Sequence, residues 1–304
     1  QNMKKLTILV LMFLGVASLY AKGDLHIYTV DNKDGKITPM MIQKALTKAD
    51  FEIGINSDIH DGLSKKFGSS GFKIYNAISV YHKTIAPRLL KEQADAGIFV
   101  PMGVAIYQRE NDDKLRIAIV TAEAQQKILG KETRLLGEQE FFLKKVITKL
   151  FPKAVHKYND NALPAKGALL TRYAKDIAGQ DWEEAKEELE ENFEEQFDEA
   201  DFVMPSYFDF TDEFGDESPY DFYATYSICK IEVIKAVSKV QPEAAAFAPC
   251  TTMMYKKADE DKIVLGFTSV YNWMSSGRII DKDSVDALID AQTTFEGIVK
   301  DVTK

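Results

Sequence analysis

The sequence predicts an α+β protein built from two tandem copies of one β-α-β sandwich-type domain, each copy with a mostly antiparallel sheet. Three observations lead there. Residues 73–121 lie over residues 221–269 at a constant offset of 148 with no gap. Ten of those 49 positions are identical, among them Tyr75/Tyr223, Ser79/Ser227, Phe99/Phe247, Pro101/Pro249, Tyr107/Tyr255 and Lys114/Lys262, and a repeat of that length implies a whole repeated domain. In each copy, segments of strand period alternate with segments of helix period in the same order, and each copy contains one hairpin signal.

The first copy begins with a strand over 25–30. Thr38 and Pro39 then open an amphipathic helix through 49, with Met41, Ile42, Ala45 and Leu46 facing inward. A strand over 51–59 follows, and a short helical turn through Leu63 and Phe67 stops at Gly68-Ser69-Ser70-Gly71. Residues 74–81 read as strand and 84–96 as helix, closed by Gly97 in the manner of a C-cap. Strands over 98–108 and 115–122 flank the Glu110-Asn111-Asp112-Asp113 turn, and a helix over 138–151 ends the copy. The second copy repeats this order: strand 169–174, helix 181–199, strand 203–210, a turn at 212–215 and strand 223–229. Helix 231–240, a hairpin of 245–255 with 263–270, and helix 283–302 complete it. Copy one spans 22–152, a linker 153–167 and copy two 168–304.

Ahead of both copies, Met3-Lys4-Lys5 leads into an apolar run over 6–16, interrupted only by Thr7 and Gly15, and then to Ala21. This is the layout of a secretory signal peptide over 1–21, with Gln1-Asn2 upstream of the start. The run falls short of the roughly 20 residues that span a bilayer, so no stable membrane anchor is expected after cleavage. No Cys follows it to take a lipid. The chain of 304 residues, 45% apolar and 28% charged, is long enough for two ordinary folded domains. Its formal charge of −9 becomes −9 − 2 = −11 once Lys4 and Lys5 are removed. Such an acidic protein lacks the electrostatic footprint for nucleic acid or anionic membranes. A periplasmic or secreted location follows from the leader, and there a disulfide can persist.

The informative difference between the copies is that Cys229 and Cys250 stand where the first copy has Tyr81 and Met102. The sequence resembles the DUF302 family in Tyr-Ala-Thr-Tyr-Ser-Ile-Cys (223–229), the helix after it, and Phe247-Ala248-Pro249-Cys250. The resemblance extends over both copies. It implies a TATA-binding-protein-like α+β fold and cysteines at these two positions, but no established activity. Copy one keeps Pro101 and lacks both cysteines, so a thiol-dependent role belongs to copy two.

A β-helix-β connection places its two strands in parallel when they share a sheet, so the sulfurs of Cys229 and Cys250 can be neighbours. Four states stay open. A disulfide would stabilise by roughly 3 kcal/mol. A reduced pair could hold a soft metal such as Cu(I) or Zn(II), with Met254 on the face of Cys250 as a further ligand. The pair could serve redox or sulfur chemistry if its pKa is lowered, or it could simply be buried core.

Residues 181–201 carry twelve acidic side chains and one base, Lys186, while Trp182, Ala185, Leu189, Phe193 and Phe197 recur at helical spacing. One face is therefore buried, and Glu184, Glu187, Glu188, Glu191 and Glu195 form a negative face that could dock a basic partner protein. The four histidines (His26, His60, His82, His156) share no metal-ligand spacing. Residues 30–37 look briefly like a calcium loop, but Val30 and Met41 occupy two essential ligand positions, which leaves a plain turn. Phosphate-cradling glycine loops, Gly-x-Ser-x-Gly, His-Glu-x-x-His and Cys-x-x-Cys are all absent.

The expected function is that of an exported two-domain binding or accessory protein for an unidentified small molecule or metal. Its copies pair in pseudo-two-fold fashion, and its site lies in the cleft between them or at the cysteine-bearing strands. The alternatives are a thiol-dependent redox or sulfur-handling enzyme using Cys229 and Cys250, and a structural partner protein using the acidic helix.

Overall fold

The computed structural model describes residues 23–160, 169–248 and 250–304. The expected leader, residues 161–167 of the expected linker and Pro249 lie outside the described residues.

The N-terminal half runs β1 (Leu25–Asp31), α1 (Pro39–Thr47), β2 (Phe51–Asp58), α2 (Ile59–Phe67), β3 (Phe72–His82), α3 (Ala86–Glu92), β4 (Met102–Arg109), β5 (Lys114–Val120), α4 (Ala122–Leu129), α5 (Arg134–Leu150) and β6 (Val155–Tyr158). The C-terminal half runs β7 (Leu170–Asp176), α6 (Trp182–Glu199), β8 (Val203–Asp209), β9 (Tyr220–Cys229), α7 (Ile231–Ser238), β10 (Cys250–Lys257), β11 (Lys262–Thr268), α8 (Val270–Ser276) and α9 (Lys282–Val302). The protein is mixed α+β with two sheets, ordered β2-β3-β4-β5-β1-β6 and β7-β11-β10-β9-β8. Every strand pair is antiparallel. Read from its other edge, the second order β8-β9-β10-β11-β7 repeats the first five strands of the other sheet.

Local chemistry accounts for the helix starts. The Thr38 hydroxyl accepts the Met41 N–H and Pro39 presets the first turn of α1. Asp181 accepts from Glu183 and Glu184 at the head of α6. Thr121 and Ser269, 148 residues apart, cap α4 and α8, two helices absent from the sequence reading. Met41 is exposed rather than inward, since α1 buries only Ile42 and Leu46.

The helix expected over 84–96 is two pieces. α3 stops at Glu92, Gln93 is extended, and a 3-10 segment, Ala94–Phe99, carries Gly97 in its interior. In the C-terminal half Pro242 opens the matching 3-10 segment, Pro242–Phe247, so β10 begins only at Cys250.

Period-2 alternation divides each sheet into two faces. On β3, Ile78 and Val80 join the core under α1 and α5, while Tyr75, Ala77 and Tyr81 enter a core shared by both halves. On β9, Phe222, Ala224, Tyr226 and Ile228 lie under α6 and α9, while Tyr223 enters the shared core. Each sheet thus has an outer face covered by its own helices and an inner face turned to the other half.

The 3-10 segments join the halves reciprocally. Ala94–Phe99 packs on β10 and Pro242–Phe247 on β4. The Tyr75 hydroxyl donates to the Pro242 carbonyl at 3.1 Å, and the Tyr223 hydroxyl donates to the Ala94 carbonyl. Tyr107 donates to Glu243 at 3.4 Å, and Tyr255 to Asp95 at 3.1 Å. Both pairs of contacts recur at the 148-residue spacing. Gly97 and Gly103 permit the close approach. A Cβ on Gly97 would sit 2.2 Å from the Tyr223 hydroxyl, and one on Gly103 would sit 2.5 Å from the Ala246 and Ala248 carbonyl oxygens.

Candidate functional site

Cys229 ends β9 and Cys250 begins β10, but the strands are antiparallel rather than parallel. The connection through α7 and the 3-10 segment turns the chain back beside β9 instead of crossing over. The register pairs Cys250 with Ile228, and opposite residues of a ladder share a face. Cys250 therefore lies on the outer face with Ile228, and Cys229, one residue on, belongs to the inner face. Both cysteines are free.

Their surroundings are apolar. Burial pushes the Cys229 thiol up to about 11 and the Cys250 thiol up to about 12, with a further rise of the latter from Cys229 nearby. At neutral pH both are protonated, which makes them poor nucleophiles. Met254 shares the outer face with Cys250 as alternation requires. Four residues of strand put it about 13 Å away, under α6 and α9, so it does not reach the cysteine. Among the described residues no group of three or more His, Cys, Asp or Glu could hold a metal.

The strand ends border two spaces. The first, about 30 Å³, is lined by Cys229 and Cys250 together with Ile228, Ala248, Phe267, Trp273, Leu288 and Phe295, and has room for about two water-sized groups. The second, about 150 Å³, lies between the halves, with Ile55, Ile59 and Ala77 on one side and Pro205, Ile231 and Ile234 on the other. Cys229, Ile234 and Ala248 line both, so Cys229 stands in the wall that separates them.

At the corresponding positions of the N-terminal half the larger side chains occupy this ground. Met102 is buried on the outer face, where the Gln139 side-chain N–H approaches its sulfur at 3.4 Å. Tyr81 projects inward and meets Phe208 and Phe210 edge-on, with ring centroids 5.0 and 5.2 Å apart.

The remaining sequence candidates fall elsewhere. Glu184, Glu187, Glu188, Glu191 and Glu195 are all exposed on α6, opposite its buried Ala185, Leu189, Phe193 and Phe197. Residues 32–37 form a turn closed by Asn32, whose amide bonds both the N–H and the carbonyl of Ile37.

One arrangement escaped the sequence reading. His26 Nε2 meets Glu140 Oε1 at 2.6 Å, and His26 Nδ1 meets His156 Nε2 at 2.9 Å. The two imidazole centroids are 5.1 Å apart and the rings are tilted by 37°, with the tautomers deciding which nitrogen donates. Burial favours the neutral Glu140 carboxyl, but the bonds from His26 and the Ala122 N–H outweigh it and hold its pKa below the usual value. No spacing signal could reveal this pair, because the pairing of β6 with β1 brings together histidines 130 residues apart.

Residues 27–150 match the model of the DUF302 family, a domain of unknown function. A crystal structure of an uncharacterized conserved DUF302 protein from Bacillus stearothermophilus is 20% identical, with a TM-score of 0.34. The match covers 41% of this chain and 94% of that one. No curated protein matches the chain. The family match falls on the half with neither cysteine, although the residues carrying the resemblance in the sequence, 223–229 and 247–250, belong to the other. The DUF302 match therefore does not depend on the thiols. No helix among the described residues is long and apolar enough to cross a membrane.

Proposed function

We propose that this chain is an exported binding protein made of two tandem DUF302-like copies, and that it takes a small, largely apolar ligand at the cysteine-lined end of the second copy. The observation carrying this reading is the difference between equivalent sites. Tyr81 and Met102 fill space in one half, whereas Cys229 and Cys250 border spaces of about 150 and 30 Å³ in the other. A space near 150 Å³ lined mainly by apolar side chains, with Ser57 and Asp58 also in its lining, suits a molecule the size of benzene. The raised thiol pKa values favour binding over thiol chemistry, because a redox or sulfur-carrying cysteine works as the thiolate.

The test transplants the filled site. A double variant, Cys229→Tyr with Cys250→Met, puts the residues of the first half into the second. Benzene binding, followed by methyl chemical-shift changes around Ile231, Ile234 and Ala248, is expected in the native protein and lost in the variant. Equal binding by both proteins would remove the basis for this reading.

A further inference from the structure

The first cavity is apolar except at a few points, and most of those are already satisfied. Lys230 donates to the Ala200 carbonyl at 2.9 Å and lies over the Phe202 ring. Gln292 accepts the Val270 N–H at 3.1 Å and donates to Thr171 and Glu296. Trp273 is different. It is 2% exposed, stacks on Phe247 at 6.1 Å, and its indole Nε1–H has no acceptor. Of the four buried side-chain nitrogen or oxygen atoms without a partner among the described residues, only this one belongs to a residue lining the cavity. A buried donor left unpaired costs about 1–3 kcal/mol, so an acceptor entering the cavity gains by pairing with it.

The equivalent residue of the other half, 148 positions earlier, is Gln125. Its Nε2 donates to the Val120 carbonyl and approaches the Met102 sulfur, while its Oε1 is the unpaired atom. Exchange of Gln for Trp thus turns an unpaired acceptor beside a filled site into an unpaired donor beside a space.

We propose that Trp273 is the specificity-determining residue of this site, and that the ligand is a small apolar molecule bearing one uncharged hydrogen-bond acceptor, such as a ketone or ether oxygen. The acceptor enters past Cys229 to meet the indole N–H, and the apolar body stays in the space between the halves. Charged ligands are disfavoured, since the walls are mainly apolar and the two charged side chains in the linings are already engaged, Lys230 with the Ala200 carbonyl and Asp58 with the Asp61 N–H. This inference rests on the binding reading above and narrows it to a ligand class.

Cyclohexanone and methylenecyclohexane, which share a shape and differ in the acceptor, provide the test. The chain has two tryptophans, so its ¹H–¹⁵N spectrum has two indole signals, and Trp273→Phe identifies which one is Trp273. Cyclohexanone is expected to bind the native protein about tenfold more tightly and to move the Trp273 indole proton downfield, with no such movement from methylenecyclohexane. In Trp273→Phe the two compounds are expected to bind alike. Equal binding of both to the native protein with an unmoved indole signal would overturn the role of Trp273 and leave the cavity reading standing. If neither compound binds the native protein, both readings fall.

Discussion

The two halves of this molecule run the same strand order and clasp one another through the same contacts, yet they treat the ends of equivalent strands in opposite ways. In the N-terminal half, Tyr81 reaches inward to Phe208 and Phe210 and Met102 is buried outward beside Gln139. In the C-terminal half, Cys229 and Cys250 take those positions and border open space. Interiors pack tightly, and a small side chain at a core position usually draws its neighbours in. Here the neighbours are committed elsewhere: Ala248 follows the 3-10 segment that packs on β4, and the Phe267 and Phe295 rings meet at a tilt with centroids 4.2 Å apart. The difference teaches that the shared clasp supplies rigidity, while the unshared positions leave the space in which the proposed ligand would sit.

The strongest way to break the comparison is to attack the clasp. Gly103 lies under the backbone oxygens of Ala246 and Ala248, which cannot rotate out of the way as a side-chain end would. Gly103→Ala is expected to cost about 3 kcal/mol, read as a lowered midpoint in urea unfolding. A loss under about 1 kcal/mol would mean that the two halves yield to one another and that the rigidity argument fails.

A second way is to make the filled half resemble the open one. Met102→Cys removes buried side-chain volume and the sulfur that Gln125 and Gln139 approach, with an expected cost of about 2 kcal/mol. Cys250→Met, the reverse exchange in the other half, is expected to change stability by less than about 1 kcal/mol because space is already there. Equal costs for the two would show that the halves are packed alike, whatever their sequences suggest.

How much of this was written in the sequence depends on the range of the interaction. Caps and periodicity are local, so Thr38, Asp181 and the apolar stripe of α6 announced their helices. The 148-residue offset likewise anticipated the clasp, because Tyr75 and Tyr223 have to perform one task twice. Thr121 and Ser269 stand at the very end of the aligned block and were available as helix caps, but α4 and α8 are only two turns long and left little periodic signal. The antiparallel direction of β10 relative to β9 is not legible in the sequence, because a helical connection suggests a parallel crossover, whereas the 3-10 segment spends its length on the opposite half. Whether the cysteine sulfurs share a face depends on a one-residue register that composition does not encode. Nothing local could announce the unpaired Trp273 N–H either, since it depends on which acceptors other elements bring near.

The finest distinction between the halves concerns charge at the clasp. Tyr107 donates to Glu243 and Tyr255 to Asp95, but only Asp95 has a cation close by, with Arg172 Nε at 3.4 Å. Burial raises the Glu243 pKa above the usual carboxylate value, and the bond from Tyr107 with the more distant Arg109 and Arg116 offsets this only in part. A pKa raised on folding means the native state holds the proton more tightly than the unfolded chain. Stability is therefore favoured below the ordinary carboxylate pKa and falls as pH rises through the raised one. Glu243→Gln removes that decline. The variant is expected to gain stability over the native protein at pH 7, and the gain is expected to shrink as the pH is lowered below the ordinary carboxylate range. Asp95→Asn loses an ion pair that is partly exposed, so a cost of no more than about 1 kcal/mol is expected at pH 7, with the opposite sign. Urea unfolding of the two variants across this pH range decides the matter. If both substitutions shift stability in the same direction, the clasp is electrostatically symmetric, and the asymmetry of the cysteine-lined strand ends does not extend to it.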